Sequence, residues 1–188
     1  LVLSHVDAPH PAIEISDPEL CYGYFGRVIT GIKVAKSPSA LRYRLTACGI
    51  RPISNVVDVT NYILMECGQP LHSFDLARIR GGRVIVAPAK EGEHFTTLDG
   101  KERVLKADDL TIRDNDGVVA LAGVMGGLDS EITEASAGVF LESAVFRPAT
   151  IRRTSRRLGL SSEASFRFER GIDQGRSRWS LDRACAMI

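Results

Sequence analysis

"RVIVAPAKEGEHFTTLDGKERVLKADDLTIRDNDGVVALAGV", residues 83–124, decides the fold class. Its apolar runs RVIVAPA, HFTTL, ERVL, LTI and VVALAGV are each too short for an ordinary helix. EGE, DGK, KADD and RDNDG separate them, and such Gly and Asp clusters are turn chemistry. Runs at this spacing predict a β-rich core, either a barrel or stacked mixed sheets. Outward from it, GYFGRVITGIKV (23–34) and VFLESAVF (139–146) read as further strands. SPSALRYRLTACG (37–49) reads as a helix capped by Ser39 and stopped by Gly49; SNVVDVTNYILMECGQP (54–70) is capped by Ser54 and stopped by Gly68 and Pro70. RPATIRRTSRRLGL (147–160) predicts a basic helix ended by Gly159, and QGRSRWSLDRACAMI (174–188) another. Two helices, a β-rich centre and two helices make an α+β domain with helices flanking the core.

The chain has 188 residues, enough for one large domain or two small intertwined ones, and its 44% apolar and 25% charged content is that of an ordinary globular protein. No apolar run approaches the ~18 residues of a membrane span. The opening LVLSHVDAPHPAIEIS lacks the basic flank and apolar run of a signal peptide. With no initiator Met, and ending inside the helix-like LDRACAMI, the chain is expected to be a piece of a longer protein. Cys21, Cys48, Cys67 and Cys185 are scattered, so reduced thiols in a cytoplasmic protein are expected. His5, His10, His72 and His94 show no metal-ligand spacing. A net charge of +1 hides an asymmetry: residues 1–146 hold 14 Lys and Arg against 19 acids, residues 147–188 ten Arg against four. That Arg-rich end either meets phosphates or pairs with the acidic remainder.

Glu142 is the first candidate for chemistry. A carboxylate inside an apolar strand is costly unless it finds a partner, a raised pKa or a ligand; pattern alone leaves an Arg pair or a binding role open. His72, launched from the Gly-Gln-Pro turn of GQPLHSFD (68–75), is either functional or a satisfied structural histidine. LAGVMGGLDS (121–130) carries Gly123, Gly126 and Gly127 and allows either close backbone approach to a ligand or a tight turn; it is not a phosphate-binding loop. Asp58, Thr60 and Asn61 interrupt a mostly apolar helix and need partners where buried. In SSEASFRFERGID (161–173), Phe166 and Phe168 alternate with polar residues, the period of a half-buried strand with a polar edge. Together these make a pocket of Glu142, His72 and the glycine loop with no reaction attached.

GIRPISNVVDVTNYILMECGQPLHSFD (49–75), LAGVMGG (121–127), VFLESAVF (139–146) and RRLGLSSEASFRFERGID (156–173) resemble, in the right order, the β subunit of bacterial phenylalanyl-tRNA synthetase, specifically its central B3/B4 domain. The likeness runs from about Tyr24 to the C-terminus, with residues 1–188 as one such domain and 1–20 as a motif-poor N-terminal extension. The resemblance implies an editing site that hydrolyses tyrosine from mischarged tRNA(Phe), aminoacylation being carried out on the α subunit. A phenylalanine pocket rejects an added hydroxyl poorly, so a second site applies the opposite test. By the same resemblance Glu142 is left free to accept the tyrosine hydroxyl, and His72 lies near the ester as general base or holder of water. Gly126 keeps space for the aminoacyl group, Ser162 and Ala164 line the pocket, Thr60 and Asn61 are polar positions on the neighbouring helix, and Arg51 precedes it. The Ser162–Ser165 edge is then one wall of a cleft for the aminoacylated 3′ end.

That reading implies no cofactor or metal for editing, ATP and Mg serving the full synthetase elsewhere. Its partners are the tyrosine-bearing 3′ end of tRNA(Phe) and the α subunit of an α2β2 enzyme, in the cytoplasm and with no membrane. One departure stands out: Ser162 occupies a position that is often Thr in the family. The competing reading is a non-catalytic RNA-binding or scaffold module, docked through the Arg-rich end.

Overall fold

In the computed structural model, which describes residues 10–188, β-branched and aromatic runs form strands wherever Gly or Asp turns bound them. In chain order the elements are β1 (Ala12–Ile15), β2 (Cys21–Thr30), α1 (Ser39–Ala47), α2 (Asn55–Cys67), β3 (Leu71–Asp75), β4 (Arg83–Pro88), β5 (His94–Thr96), β6 (Glu102–Val104), β7 (Leu110–Arg113), β8 (Val118–Leu121), β9 (Met125–Gly126), β10 (Gly138–Phe146), α3 (Pro148–Leu158), α4 (Glu163–Phe168) and α5 (Ser177–Cys185). Of the expected N-terminal extension, residues 1–9 lie outside the described part, while β1 pairs in parallel with β4.

The strands form a five-stranded sheet of order β1-β4-β7-β8-β9, a three-stranded sheet β2-β10-β3 and the β5-β6 hairpin. This is the stacked mixed arrangement; the five-stranded sheet ends on β1 and β9 and does not close into a barrel. β10 runs through the centre and is antiparallel to both neighbours. Its side chains alternate between two cores. Val139 and Leu141 join Val56, Val59 and Ile63 of α2 and Leu181 and Ala184 of α5. Phe140, Ala144 and Phe146 point the other way, into a core shared with Val84, Val86, Ile112 and Leu121 of the five-stranded sheet. Glu142 has the parity of that second set, so the fold carries its carboxylate between two sheets.

Helix ends follow local chemistry. Ser54 caps α2 by accepting the Val57 N–H, and Gly68 closes it at φ 77°, a left-handed conformation that glycine adopts without strain. Gly159 ends α3 in the same way. Pro38, not Ser39, stands at the cap of α1, and Ser39 is its first helical residue. The larger correction concerns residues 161–173: Glu163–Phe168 is helix α4, not a strand. The Ser162 hydroxyl accepts the Ser165 N–H, and the Ser165 hydroxyl accepts the Ser162 N–H, a reciprocal cap that outweighs the two-residue alternation. Phe168 is therefore buried while Phe166 is exposed, with Arg170 stacked 3.6 Å over its ring.

Candidate functional site

Three polar side chains cross the otherwise apolar inner face of the three-stranded sheet. Glu142 on β10 stands directly opposite His72 on β3. Directly opposed residues of an antiparallel pair share a face, so carboxyl and imidazole project to the same side. On β2, Glu142 faces Gly26, and the side chain that reaches it comes from Tyr24, opposite Ala144. The buried Tyr24 hydroxyl donates to Glu142 Oε2 at 2.6 Å. Neither the arginine pair nor the fully free carboxylate expected from sequence is what the fold holds. Oε2 is taken by a phenol, while Oε1 receives no hydrogen bond from the described residues and is not sealed from solvent.

Burial sets the protonation of this row. Desolvation raises the Glu142 carboxyl to about 7, against the lowering effect of the Tyr24 hydrogen bond. Desolvation lowers His72 to about 4, so its imidazole is neutral at physiological pH. The same burial, joined by the Glu142 charge, pushes the Tyr24 phenol well above its ordinary value. The His72 ring packs edge-on against Phe74, centroids 4.5 Å apart, and takes no hydrogen bond from the described residues.

Two cavities meet at Leu71 and His72. The inner one, about 70 Å³, lies between the sheets and is bounded by Glu142, Ile112, Ala120, Gly126, Ala164 and Phe168 as well as His72. The outer one, about 460 Å³, is bounded by Thr60, Asn61, Leu98 and Glu134 on the far side of the imidazole. His72 is thus the partition between a small pocket holding one buried carboxyl and a larger polar cleft.

The glycine loop lies against this partition. A Cβ at Gly126 would come within 2.8 Å of His72 Cε1, so the absent side chain leaves room for the imidazole. The Leu98 N–H donates to the Gly126 carbonyl, and the Gly127 N–H to that of Val119, pinning the loop from both sides. Of the remaining expected residues, Ala164 lines the inner cavity and Thr60 and Asn61 the outer one, with the Thr60 hydroxyl donating to the Val57 carbonyl. Ser162 lines neither; its hydroxyl donates to the Val124 carbonyl and ties α4 to the glycine loop. Arg51 is exposed and lines neither cavity, although Ile53, two residues on, borders the outer one. Asp58 is occupied structurally by the Ser37 hydroxyl and the Ile53 N–H.

Tyr24 is the residue that sequence reading missed. Its signal lies in the sequence: GYFGRVIT reads as a strand, and a buried tyrosine hydroxyl needs a partner. What the spacing hides is a shift in the β2–β10 register between Val145 and Phe146, which leaves Tyr22 exposed and Tyr24 buried. The Arg-rich end is largely spent within the fold. Arg153 pairs with Asp108, Arg157 with Asp109, Arg167 with Glu163, Arg170 with Glu169, Arg176 with Asp173 and Arg183 with Glu66. Among the described residues no three His, Cys, Asp or Glu side chains gather as metal ligands would, and no helix is long and apolar enough to cross a membrane.

A family model described as the B3/4 domain matches residues 20–188. The phenylalanine–tRNA ligase β subunit of Nitratidesulfovibrio vulgaris is 61% identical over 176 residues, covering 94% of this chain and 22% of that protein. The β subunit from Oleidesulfovibrio alaskensis gives the same figures, so the chain spans 22% of the length of both relatives. An N-terminal fragment of the phenylalanyl-tRNA synthetase β subunit from Pyrococcus horikoshii superposes with a TM-score of 0.56 at 12% identity, covering 85% of this chain and 52% of that one, a likeness of fold.

Proposed function

The chain belongs to the B3/4 domain family, and from that premise we propose that it edits, hydrolysing the ester of tyrosine mischarged onto tRNA(Phe). The observation that carries this reading is the pair of cavities divided by His72, with one buried carboxyl in the inner cavity. The tyrosine side chain enters the inner cavity and its hydroxyl donates to Glu142 Oε1. Phenylalanine in the same place leaves that oxygen without its partner, at a cost of roughly 1–3 kcal/mol. The ester then lies beside His72, and the terminal adenosine occupies the outer cleft against Thr60 and Asn61. Arg51, exposed before α2, is free to face the backbone of the 3′ strand.

A neutral imidazole is a hydrogen-bond acceptor and suits the task of orienting the attacking water. At about 70 Å³ the inner cavity is smaller than the ~150 Å³ void that admits benzene in an engineered protein. Seating a phenol therefore requires its walls to part. The editing step draws on no cofactor in this reading. The chain works as the B3/4 domain of a β subunit beside an α subunit, in the α2β2 enzyme of the cytoplasm where ATP and Mg serve aminoacylation. The RNA-docking alternative is the weaker one, because most arginines of the basic end already hold internal partners.

The test is deacylation of Tyr-tRNA(Phe) and Phe-tRNA(Phe) by the assembled synthetase. Tyrosine is expected to be released faster, with Glu142→Ala losing about tenfold or more of that preference and His72→Ala losing rate on the ester. Unchanged tyrosine release in both variants would remove the assignment.

A further inference from the structure

Tyr24 makes the hydrogen bond that Glu142 receives from the described residues, and the editing reading as stated gives it no part. Resting on that reading, we propose that Tyr24 is a positioning residue of the tyrosine test: its phenol holds Glu142 Oε2, so that Oε1 is presented to the inner cavity as the acceptor for the substrate hydroxyl. The two phenols, one from the protein and one from the substrate, then share a single carboxylate.

The geometry supports this in three ways. First, the Tyr24 hydroxyl donates to Glu142 Oε2 at 2.6 Å, so this carboxyl already accepts a phenol inside the fold. Second, no other side chain of β2 is placed to do the work. Gly26, directly opposite Glu142, has none, and the space above it is filled by the Phe140 ring, while Ala144 leaves room for Tyr24 to lean along the strand. Third, a carboxyl turns easily about its last bond unless something holds it. Of the other cavity-lining side chains, Ile112, Ala120, Ala164 and Phe168 are apolar, and His72, the polar one, makes no hydrogen bond to Glu142 among the described residues.

The titratable groups around Glu142 are few. Cys21 and Tyr24 stand on β2 and His72 on β3. Burial pushes the Cys21 thiol to about 12 and His72 down to about 4, leaving both neutral near pH 7. Glu142 is the group of this row that changes charge there, and the Tyr24 hydrogen bond favours its ionised form. Losing that bond moves the ionisation to higher pH.

The experiment follows hydrolysis of Tyr-tRNA(Phe) by the assembled synthetase from about pH 5.5 to 9, comparing wild type, Tyr24→Phe, Glu142→Gln and His72→Ala. Tyr24→Phe is expected to shift the acid limb of kcat/KM upward by about one pH unit and to raise KM about tenfold, with kcat at high pH retained. A wild-type limb and KM in Tyr24→Phe, alongside a Glu142→Gln variant that has lost both, reduces Tyr24 to packing and overturns the inference alone. Wild-type behaviour in both Glu142→Gln and His72→Ala overturns the editing reading and the inference with it. Should Tyr24→Phe fail to fold by thermal unfolding, 3-fluorotyrosine at position 24 replaces it. That more acidic phenol donates more strongly and must move the limb downward; an unmoved limb is again contrary.

Discussion

At the residue scale, Glu142 and His72 are two buried groups whose protonation preferences oppose each other. Glu142 holds its proton up to about 7 in the folded protein against an ordinary 4.5, so folding stability falls as pH rises from about 4.5 to 7. His72 releases its proton at about 4 against an ordinary 6.5, so stability is lost as pH falls from about 6.5 to 4. Across the shared window the slopes offset, and wild-type stability should be nearly flat. Denaturant titrations of Glu142→Gln should show stability climbing by about 2 kcal/mol from pH 4 to 6.5, and His72→Phe should show the reverse slope. Gly126→Ala tests the imidazole's seat: the added methyl displaces the His72 ring, so tyrosine release should fall at least about tenfold while melting shifts by only a few degrees. Glu142 and His72 were legible because a charge in an apolar strand and a histidine after a rigid turn stand out without any structure. The Tyr24 phenol was not, since a tyrosine in a strand passes for ordinary core until its register is known.

At the element scale the informative misreading is α4. Alternation of Phe166 and Phe168 suggests a strand, yet Ser162 at the N-cap and Ser165 three residues on cap each other's N–H groups and close the segment as a short helix. The overlooked signal was the Ser162–Ser165 spacing itself. The same hydroxyl that caps α4 holds the Val124 carbonyl, so Ser162 governs the inner cavity by anchoring its wall, without lining it. Ser162→Ala should cost about 1 kcal/mol of stability in thermal melts. It should also loosen the preference for tyrosine. Ser162→Thr keeps the hydroxyl and should preserve both, whereas an unaltered Ser162→Ala protein would remove this role. Helix ends at Ser54, Gly68 and Gly159 were readable because caps are local chemistry, and the short β runs because turn residues bracket them.

At the scale of the whole molecule, the β-rich centre could be read from residues 83–124 and the α+β class from the helices around it, but neither the choice of stacked sheets over a barrel nor the pairing of the sheets could. Tyr24, His72, Gly126, Glu142 and Ala164 come from five separate elements, and only the antiparallel register of β10 with β2 and β3 brings the first, second and fourth into one row. The basic C-terminal segment shows the same limit: charge counting could not tell phosphate binding from internal pairing. In the fold Arg157 reaches Asp109, which is fully buried and also holds the Thr154 hydroxyl. Arg157→Ala should therefore destabilise the domain by about 2–4 kcal/mol in denaturant unfolding, through a buried carboxylate left short of a partner. Whether Glu142 takes the hydroxyl of a bound tyrosine is decided by a crystal structure of the domain with a non-hydrolysable amide analogue of 3′-tyrosyl-adenosine. The expected result places the phenol oxygen within hydrogen-bond distance of Glu142 Oε1, with Tyr24 still on Oε2 and the linkage beside His72. A tyrosine ring lodged in the outer cleft, with the inner cavity empty, would contradict it.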